Sequence, residues 1–294
     1  MPTVFLGTSE FAAAVLRRLA GTDHRPALVI TRPDRRRGRG RRLGAPPVAD
    51  AARALGLELA QPESVNDQPT REQIAALKPE AVCVCAYGAL ITEPLLSAHP
   101  ILNVHPSLLP RWRGAAPIER AIIAGDRQTG VSIMRLTAGL DSGPVCLQAA
   151  EPIGSEDTYG TLAQRLQELG AELLITALDS APPCVEQEER LATYAEKIAA
   201  ADRELDPALP AAVLARVVRA LTPHIGAQVR LPDGALLGVG KARVRDDGAP
   251  RGVLSLGGPR PVLGCADGAL ELVEVRPAGR KPMSGEDFLR GYRR

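Results

Sequence analysis

The chain has 294 residues, a net charge of +2 and an apolar fraction of 45 %, with aromatic residues at only 3 %. That length leaves room for two domains, and the interior must be filled by Leu, Val, Ala and Ile. The sequence holds no apolar run of about 18 residues and no basic-plus-apolar leader, so a soluble cytoplasmic protein is expected rather than a membrane-spanning one. In chain order, Thr3 to Gly7 reads as a short buried strand. Thr8 or Ser9 caps a helix whose apolar residues Phe11, Val15, Leu16 and Leu19 recur at helical spacing. Ala27 to Thr31 is a second strand, followed by an arginine-rich loop with Gly38 and Gly40. Pro46-Pro47 opens a helix, Leu57 to Ala60 reads as a strand and Gln68 to Leu77 as a helix. Ala81 to Ala86 and Ile101 to Val104 are strongly apolar strands. Strand and helix alternating in this way predict right-handed βαβ units and a Rossmann-like parallel sheet. Gly7-Thr8-Ser9 lacks the GxGxxG spacing, so no dinucleotide site is read there.

Ala116 to Ala124 reads as a helix with Pro117 near its first turn. Gly130 to Leu136 and Val145 to Ala149 read as strands around a loop that holds Gly139-Leu-Asp-Ser-Gly143. Thr158 to Leu178 is a long amphipathic helix. Pro182-Pro183 ends that pattern, and the polar stretch 186–206 reads as a linker between a first domain (1–185) and a second (207–294). The second begins with a helix, Leu209 to Leu221. Short apolar runs follow, split by Asp-Gly pairs at 233–234, 247–248 and 267–268. This pattern predicts a small, OB-like antiparallel β-barrel.

Charge is unevenly placed. Residues 207–294 hold 14 Lys and Arg against 8 Asp and Glu, a net +6, which leaves −4 for residues 1–206. Within that acidic part, Arg32 to Arg42 alone contains seven arginines and one acid, Asp34. Two basic regions on an otherwise acidic chain point to a polyanionic partner; the plainer reading is a solvated arginine-rich surface. The five cysteines, Cys83, Cys85, Cys146, Cys184 and Cys265, are odd in number and form no CxxC pair. Neither a disulfide framework nor a zinc site is expected from them.

The candidate chemistry sits after the Ile101 strand. Asn103 and His105 are two residues apart, so their side chains share a strand face. The carboxyl end of a parallel strand is where open α/β sheets place reactive groups. Asp141, between two glycines, either binds its own turn backbone or orients His105. Ser107 and Ser142 are not centred in a G-x-S-x-G elbow, so an α/β-hydrolase reading fails. An amide, an imidazole and a carboxylate without a nucleophile suit acyl transfer from one bound substrate to the amine of another. Asn103 and a protonated His105 can donate to the oxygen on which charge develops, while Asp141 keeps His105 charged and receives the proton lost by the amine.

Several blocks resemble the methionyl-tRNA formyltransferase family: Phe5-Leu-Gly-Thr-Ser-Glu-Phe-Ala12, Thr31-Arg-Pro-Asp34, Asn103-Val-His-Pro-Ser-Leu-Leu-Pro-Arg-Trp-Arg-Gly-Ala-Ala-Pro117, Gly139-Leu-Asp-Ser-Gly143, Tyr194-Ala-Glu-Lys-Ile198 and Pro277-Ala-Gly-Arg-Lys-Pro-Met-Ser284. They run the length of the chain in order. The resemblance implies a formyl donor, 10-formyltetrahydrofolate, and an acceptor, the free amine of methionyl initiator tRNA, with no metal. It implies Asn103, His105 and Asp141 as the catalytic set and folate contacts at Ser107, Leu108, Leu109 and Pro110. It implies Arg39, Arg41 and Arg42 as contacts to the acceptor stem, and a basic carboxyl-terminal domain on the tRNA backbone. The chain is expected to act as a monomer. It departs from the family at Leu221-Thr-Pro-His-Ile-Gly226, where an aromatic pair is usual, and at Ser9 and Pro207. The alternatives are a sister formyltransferase acting on a nucleotide-linked amino sugar or another small amine, a tRNA-binding module without catalysis, and a formyl-folate hydrolase. A small substrate needs neither basic region, and a binding module does not need Asn103, His105 and Asp141 together.

Overall fold

The computed structural model describes residues 2–37, 42–247 and 249–292. In chain order the elements begin with β1 (Thr3–Gly7), α1 (Glu10–Leu19) and β2 (Pro26–Ile30). A hairpin of β3 (Arg35–Arg37) and β4 (Arg42–Gly44) follows where the sequence suggested only a loop. Next come α2 (Pro47–Ala54), β5 (Leu59–Ala60), α3 (Gln68–Ala76), β6 (Ala81–Cys85), the single turn α4 (Leu95–Ala98) and β7 (Ile101–His105). Then come β8 (Arg113–Gly114), α5 (Pro117–Ala124), β9 (Gln128–Arg135), β10 (Val145–Pro152) and the long α6 (Tyr159–Ser180). The remainder is β11 (Tyr194–Ala195), α7 (Ala211–Leu221), β12 (Ala227–Arg230), β13 (Leu236–Arg245), β14 (Leu254–Ser255), β15 (Val262–Gly264), β16 (Ala269–Arg276), β17 (Met283–Ser284) and α8 (Gly285–Tyr292).

The chain divides into two units, each assembled from separated segments. The first comprises residues 1–114, 129–151 and 163–194. Its sheet has the strand order β10-β9-β7-β6-β1-β2-β5. The pairings of β5, β2, β1, β6 and β7 are parallel, as alternating strands and helices require. β9 then joins β7 antiparallel, with His105 opposite Ser132, so the sheet is mixed at this edge. The apolar runs of β1, β2 and β6 are buried throughout or nearly so, because helices cover a parallel sheet on both faces. Ser9 is the cap of α1, accepting from the Ala12 amide. Gly7 is required where β1 turns into α1, since a Cβ there would lie 2.8 Å from Ala12 Cβ. Thr8 Oγ1 donates to the Tyr87 carbonyl at 2.7 Å and so ties together the carboxyl ends of β1 and β6.

The second unit comprises residues 115–128, 152–162 and 195–294. Its antiparallel sheet follows the path β12-β13-β16-β15-β14, with β17 also on β16. The sheet curls as a half-barrel around a core that includes Leu214, Val218, Leu221, Leu237, Val275 and Phe288. The register slips at Lys241, an irregularity that lets the ten-residue β13 bend. In the Leu221–Gly226 turn, His224 is held from two sides. His224 stacks on Tyr159 with ring centroids 3.6 Å apart, and its Nε2 lies 2.9 Å from Glu119 Oε1. Among the described residues, no helix is long and apolar enough to cross a membrane.

One sequence expectation is corrected outright. Cys146 and Cys184 are joined as a disulfide, although neither spacing nor count suggested one. Spacing carries no signal because the pair is made by the fold: β10 and the segment after α6 run side by side, with Val145 and Val185 exchanging backbone hydrogen bonds at 2.8 and 2.9 Å. The other three cysteines are free and buried.

Candidate active site

β7 ends with Asn103 and His105 on one face, both buried. The intervening Val104 points to the other face, where Gly170 of α6 leaves space; a Cβ at Gly170 would lie 2.9 Å from Val104 Cγ1. Strand alternation and one small helix residue thus turn two polar side chains away from the packed layer.

The His105 ring is fixed from one side. Its Nε2 lies 2.8 Å from the Trp112 carbonyl oxygen. A carbonyl only accepts, so Nε2 carries the hydrogen and Nδ1 is the nitrogen left to gain or lose a proton. Nδ1 faces Asp141 Oδ2 at 3.7 Å. The other carboxylate oxygen, Oδ1, lies 3.5 Å from Asn103 Nδ2. Asp141 is itself anchored by the Gly114 amide, which donates to Oδ2 at 2.9 Å. The three residues singled out from the sequence therefore converge, loosely, around a half-buried carboxylate. Separations at the edge of hydrogen-bond range are usual before substrate binds, and they tighten when it does.

Two positions here have left-handed backbone: Asp141 at φ 44° and Trp112 at φ 64°. Non-glycine residues take this conformation when surrounding contacts hold them in it. For Trp112 the contact is Thr193, whose Oγ1 accepts from the Trp112 amide at 2.9 Å. For Asp141 it is Gln187, whose Nε2 donates to the carbonyls of Asp141 and Gly143 at 2.8 and 2.7 Å. Both partners come from the polar stretch that the sequence suggested was a linker.

The loop Ser107-Leu108-Leu109-Pro110 is equally well tied. Ser107 Oγ donates to the Arg111 carbonyl at 2.6 Å. Ser132, on β9 opposite His105, donates to the Ser107 carbonyl at 2.6 Å and accepts from the Leu109 amide at 3.1 Å. Gln148 Nε2 donates to Ser132 Oγ and to the Leu109 carbonyl. Leu109 and Pro110 line an open groove of about 350 Å³ with Leu147, Gln148 and Gln187. The lining is mixed: Leu109, Leu147 and Leu191 stand beside the amides of Gln148 and Gln187 and the carboxylates of Glu186 and Glu188. Ser132, Gln148, Gln187 and Thr193 were missed in the sequence because isolated serines, threonines and glutamines carry no period or spacing. Arg39 and Arg41 lie outside the described residues; Arg42 begins β4. Among the described residues, no group of three or more His, Cys, Asp and Glu could hold a metal ion.

The formyl transferase family model matches residues 1–178, and the formyl transferase C-terminal domain model matches 197–293. A methionyl-tRNA formyltransferase of Methylococcus capsulatus is 42 % identical over 301 residues, covering 99 % of this chain and 97 % of that protein. One from Acidiphilium cryptum is 43 % identical over 295 residues, with 99 % and 97 % covered. Among solved structures, HypX from Aquifex aeolicus in complex with tetrahydrofolic acid superposes with a TM-score of 0.67 at 18 % identity. That match covers 98 % of this chain but only 46 % of HypX. The phosphoribosylglycinamide formyltransferase of Bacillus halodurans matches with a TM-score of 0.51 at 26 % identity, over 62 % of this chain and 97 % of that one.

Proposed function

The chain belongs to the methionyl-tRNA formyltransferase family, and on that premise we propose how its own residues carry out the transfer. The enzyme moves the formyl group of 10-formyltetrahydrofolate onto the free amino group of methionyl initiator tRNA. The donor supplies an activated formyl carbon. Asn103 Nδ2 and protonated His105 Nδ1 donate to the formyl oxygen as negative charge develops there. Asp141 faces His105 Nδ1 and takes up, directly or through water, the proton released by the attacking amine; a proton returns to the donor nitrogen as its bond to the formyl carbon breaks and tetrahydrofolate leaves. Ser107 to Pro110, with Gln148, form one wall of the folate site.

The observation that carries this reading is the convergence of Asn103 and His105 on Asp141, at 3.5 and 3.7 Å. Residues 1–185 are assigned the chemistry, 186–206 the connection and 207–294 the docking of the tRNA backbone. The +6 charge of residues 207–294 and the seven arginines between Arg32 and Arg42 support that division. Arg39, Arg41 and Arg42 contact the acceptor stem, and phosphate charge dominates the affinity. We assign the enzyme to the cytoplasm and expect it to act as a monomer. The test is incubation with labelled 10-formyltetrahydrofolate and charged initiator tRNA, elongator Met-tRNA or a nucleotide-linked amino sugar. Label on initiator methionine is expected; label on the sugar alone would overturn the assignment.

A further inference from the structure

The segment after α6 does more than connect. Residues 185, 186 and 188–190 are all exposed, and between them Gln187 turns inward. Three residues earlier, the Cys184–Cys146 disulfide fixes this strap to β10. The Gln187 carboxamide makes three hydrogen bonds at the site. Its two N–H groups donate to the Asp141 and Gly143 carbonyls, and its Oε1 accepts from Arg113 Nε at 3.0 Å. A flipped amide would set its oxygen against two carbonyls and its NH₂ against a guanidinium, so the orientation has one solution. Arg113 is in turn buried, and its Nη1 pairs with Glu189 Oε2 at 2.8 Å, from the same strap. Asp141 has the left-handed backbone described above, and its carboxylate must meet both Asn103 and His105. A peptide free to relax from φ 44° would swing that carboxylate away.

We propose that Gln187 is a positioning residue for formyl transfer. By clamping the carbonyls of Asp141 and Gly143, it holds the Asp141 carboxylate at His105 Nδ1 and Asn103 Nδ2. The proposal rests on Asp141 being the catalytic carboxylate. Misplacement by about 1 Å at such a site costs on the order of 10²-fold in rate.

Two near-isosteric variants separate donation from mere space-filling. Gln187→Glu keeps an acceptor for Arg113 and loses both donors; Gln187→Met keeps volume and loses all three bonds. Each is compared with Asp141→Asn and with the double variants, for kcat, for KM of both substrates, for the pH profile of kcat/KM and for melting temperature. The expected result is a kcat about 10- to 100-fold lower in both single variants. KM for Met-tRNA should stay within about threefold, and the pH profile of kcat/KM should differ from wild type because the carboxylate facing the imidazole is displaced. The double variants should be no slower than Asp141→Asn alone, because both changes act through one group. A kcat within twofold of wild type in whichever variant stays folded would overturn the proposal, as would losses that multiply in the double variants. If Asp141→Asn itself is near wild type, the catalytic assignment of Asp141 fails first, and it is recognised separately.

Discussion

His105 Nε2 donates to the carbonyl oxygen of Trp112 at 2.8 Å, and that bond leaves Nδ1 as the nitrogen available to the proposed chemistry. With Nε2 committed, Nδ1 alone can cycle its proton, and it is the nitrogen turned to Asp141. The ring is buried and the Trp112 carbonyl is aimed by a left-handed backbone that Thr193 helps to hold. The same bond bears on substitution. An Asn at 105 would be too short to keep the Trp112 contact while facing the carboxylate, so it should not rescue activity.

In the proposed mechanism the Asn103 amide donates to the formyl oxygen beside His105. Loss of one preorganised donor to a developing oxyanion costs about 10²–10³ in rate. Asn103→Ala should therefore lower kcat by that factor while leaving the KM for both substrates within a few-fold. Asn103→Asp should be worse still, because it sets a second carboxylate against Asp141. Steady-state kinetics on purified variants check both.

Ser132 pairs with His105 across β7 and β9, and its hydroxyl makes two hydrogen bonds to the Ser107–Pro110 loop while accepting a third from Gln148. Ser132→Ala leaves the Leu109 amide and the Ser107 carbonyl without that partner in a buried place. The cost is about 1–3 kcal/mol of stability. The KM for 10-formyltetrahydrofolate should rise more than the KM for tRNA. An unchanged folate KM with lowered stability would make Ser132 purely structural.

Arg39 and Arg41 are proposed to contact phosphate because the family resemblance brings their arginine-rich loop to the acceptor stem. Each lost phosphate contact lowers the slope of log affinity against log salt by about one. The Arg39→Ala, Arg41→Ala double variant should flatten that slope for initiator tRNA by about two and leave folate binding intact. A slope identical to wild type would remove both residues from the interface.

Thiol counts test the disulfide and the buried pair. The denatured, unreduced protein should release three titratable thiols, and the native protein close to none; five in the denatured state would exclude the Cys146–Cys184 bond. Burial pushes the Cys83 thiol up to about 12 from an ordinary 9.0, and pushes Cys85 up as well. The folded chain therefore keeps protons that the unfolded chain releases above pH 9, so stability falls as pH rises from 9 towards 12. Cys83→Ala with Cys85→Ala should remove that part of the alkaline slope, measured as denaturant midpoint against pH.

Much of the first unit was legible because its strands are continuous apolar runs, as in β1, β6 and β7, punctuated by caps such as Ser9. Asn103, His105 and Asp141 stood out because a strand end and a Gly-Leu-Asp-Ser-Gly turn are local patterns. What stayed hidden was non-local. The antiparallel entry of β9 beside β7 depends on pairing across the sheet, and no periodicity reports strand direction. Gln187 and Thr193 act through backbone carbonyls and amides of distant residues, so nothing beside them in the chain announces the role.

The central claim is that His105 provides the proton-carrying donor in a site where the tRNA is held elsewhere. Single-turnover formyl transfer by His105→Ala, run alongside initiator Met-tRNA binding, tests it most directly. A transfer rate lower by about 10²–10⁴ with tRNA affinity within twofold is predicted. A folded His105→Ala variant that transfers formyl within tenfold of the wild-type rate would contradict the account.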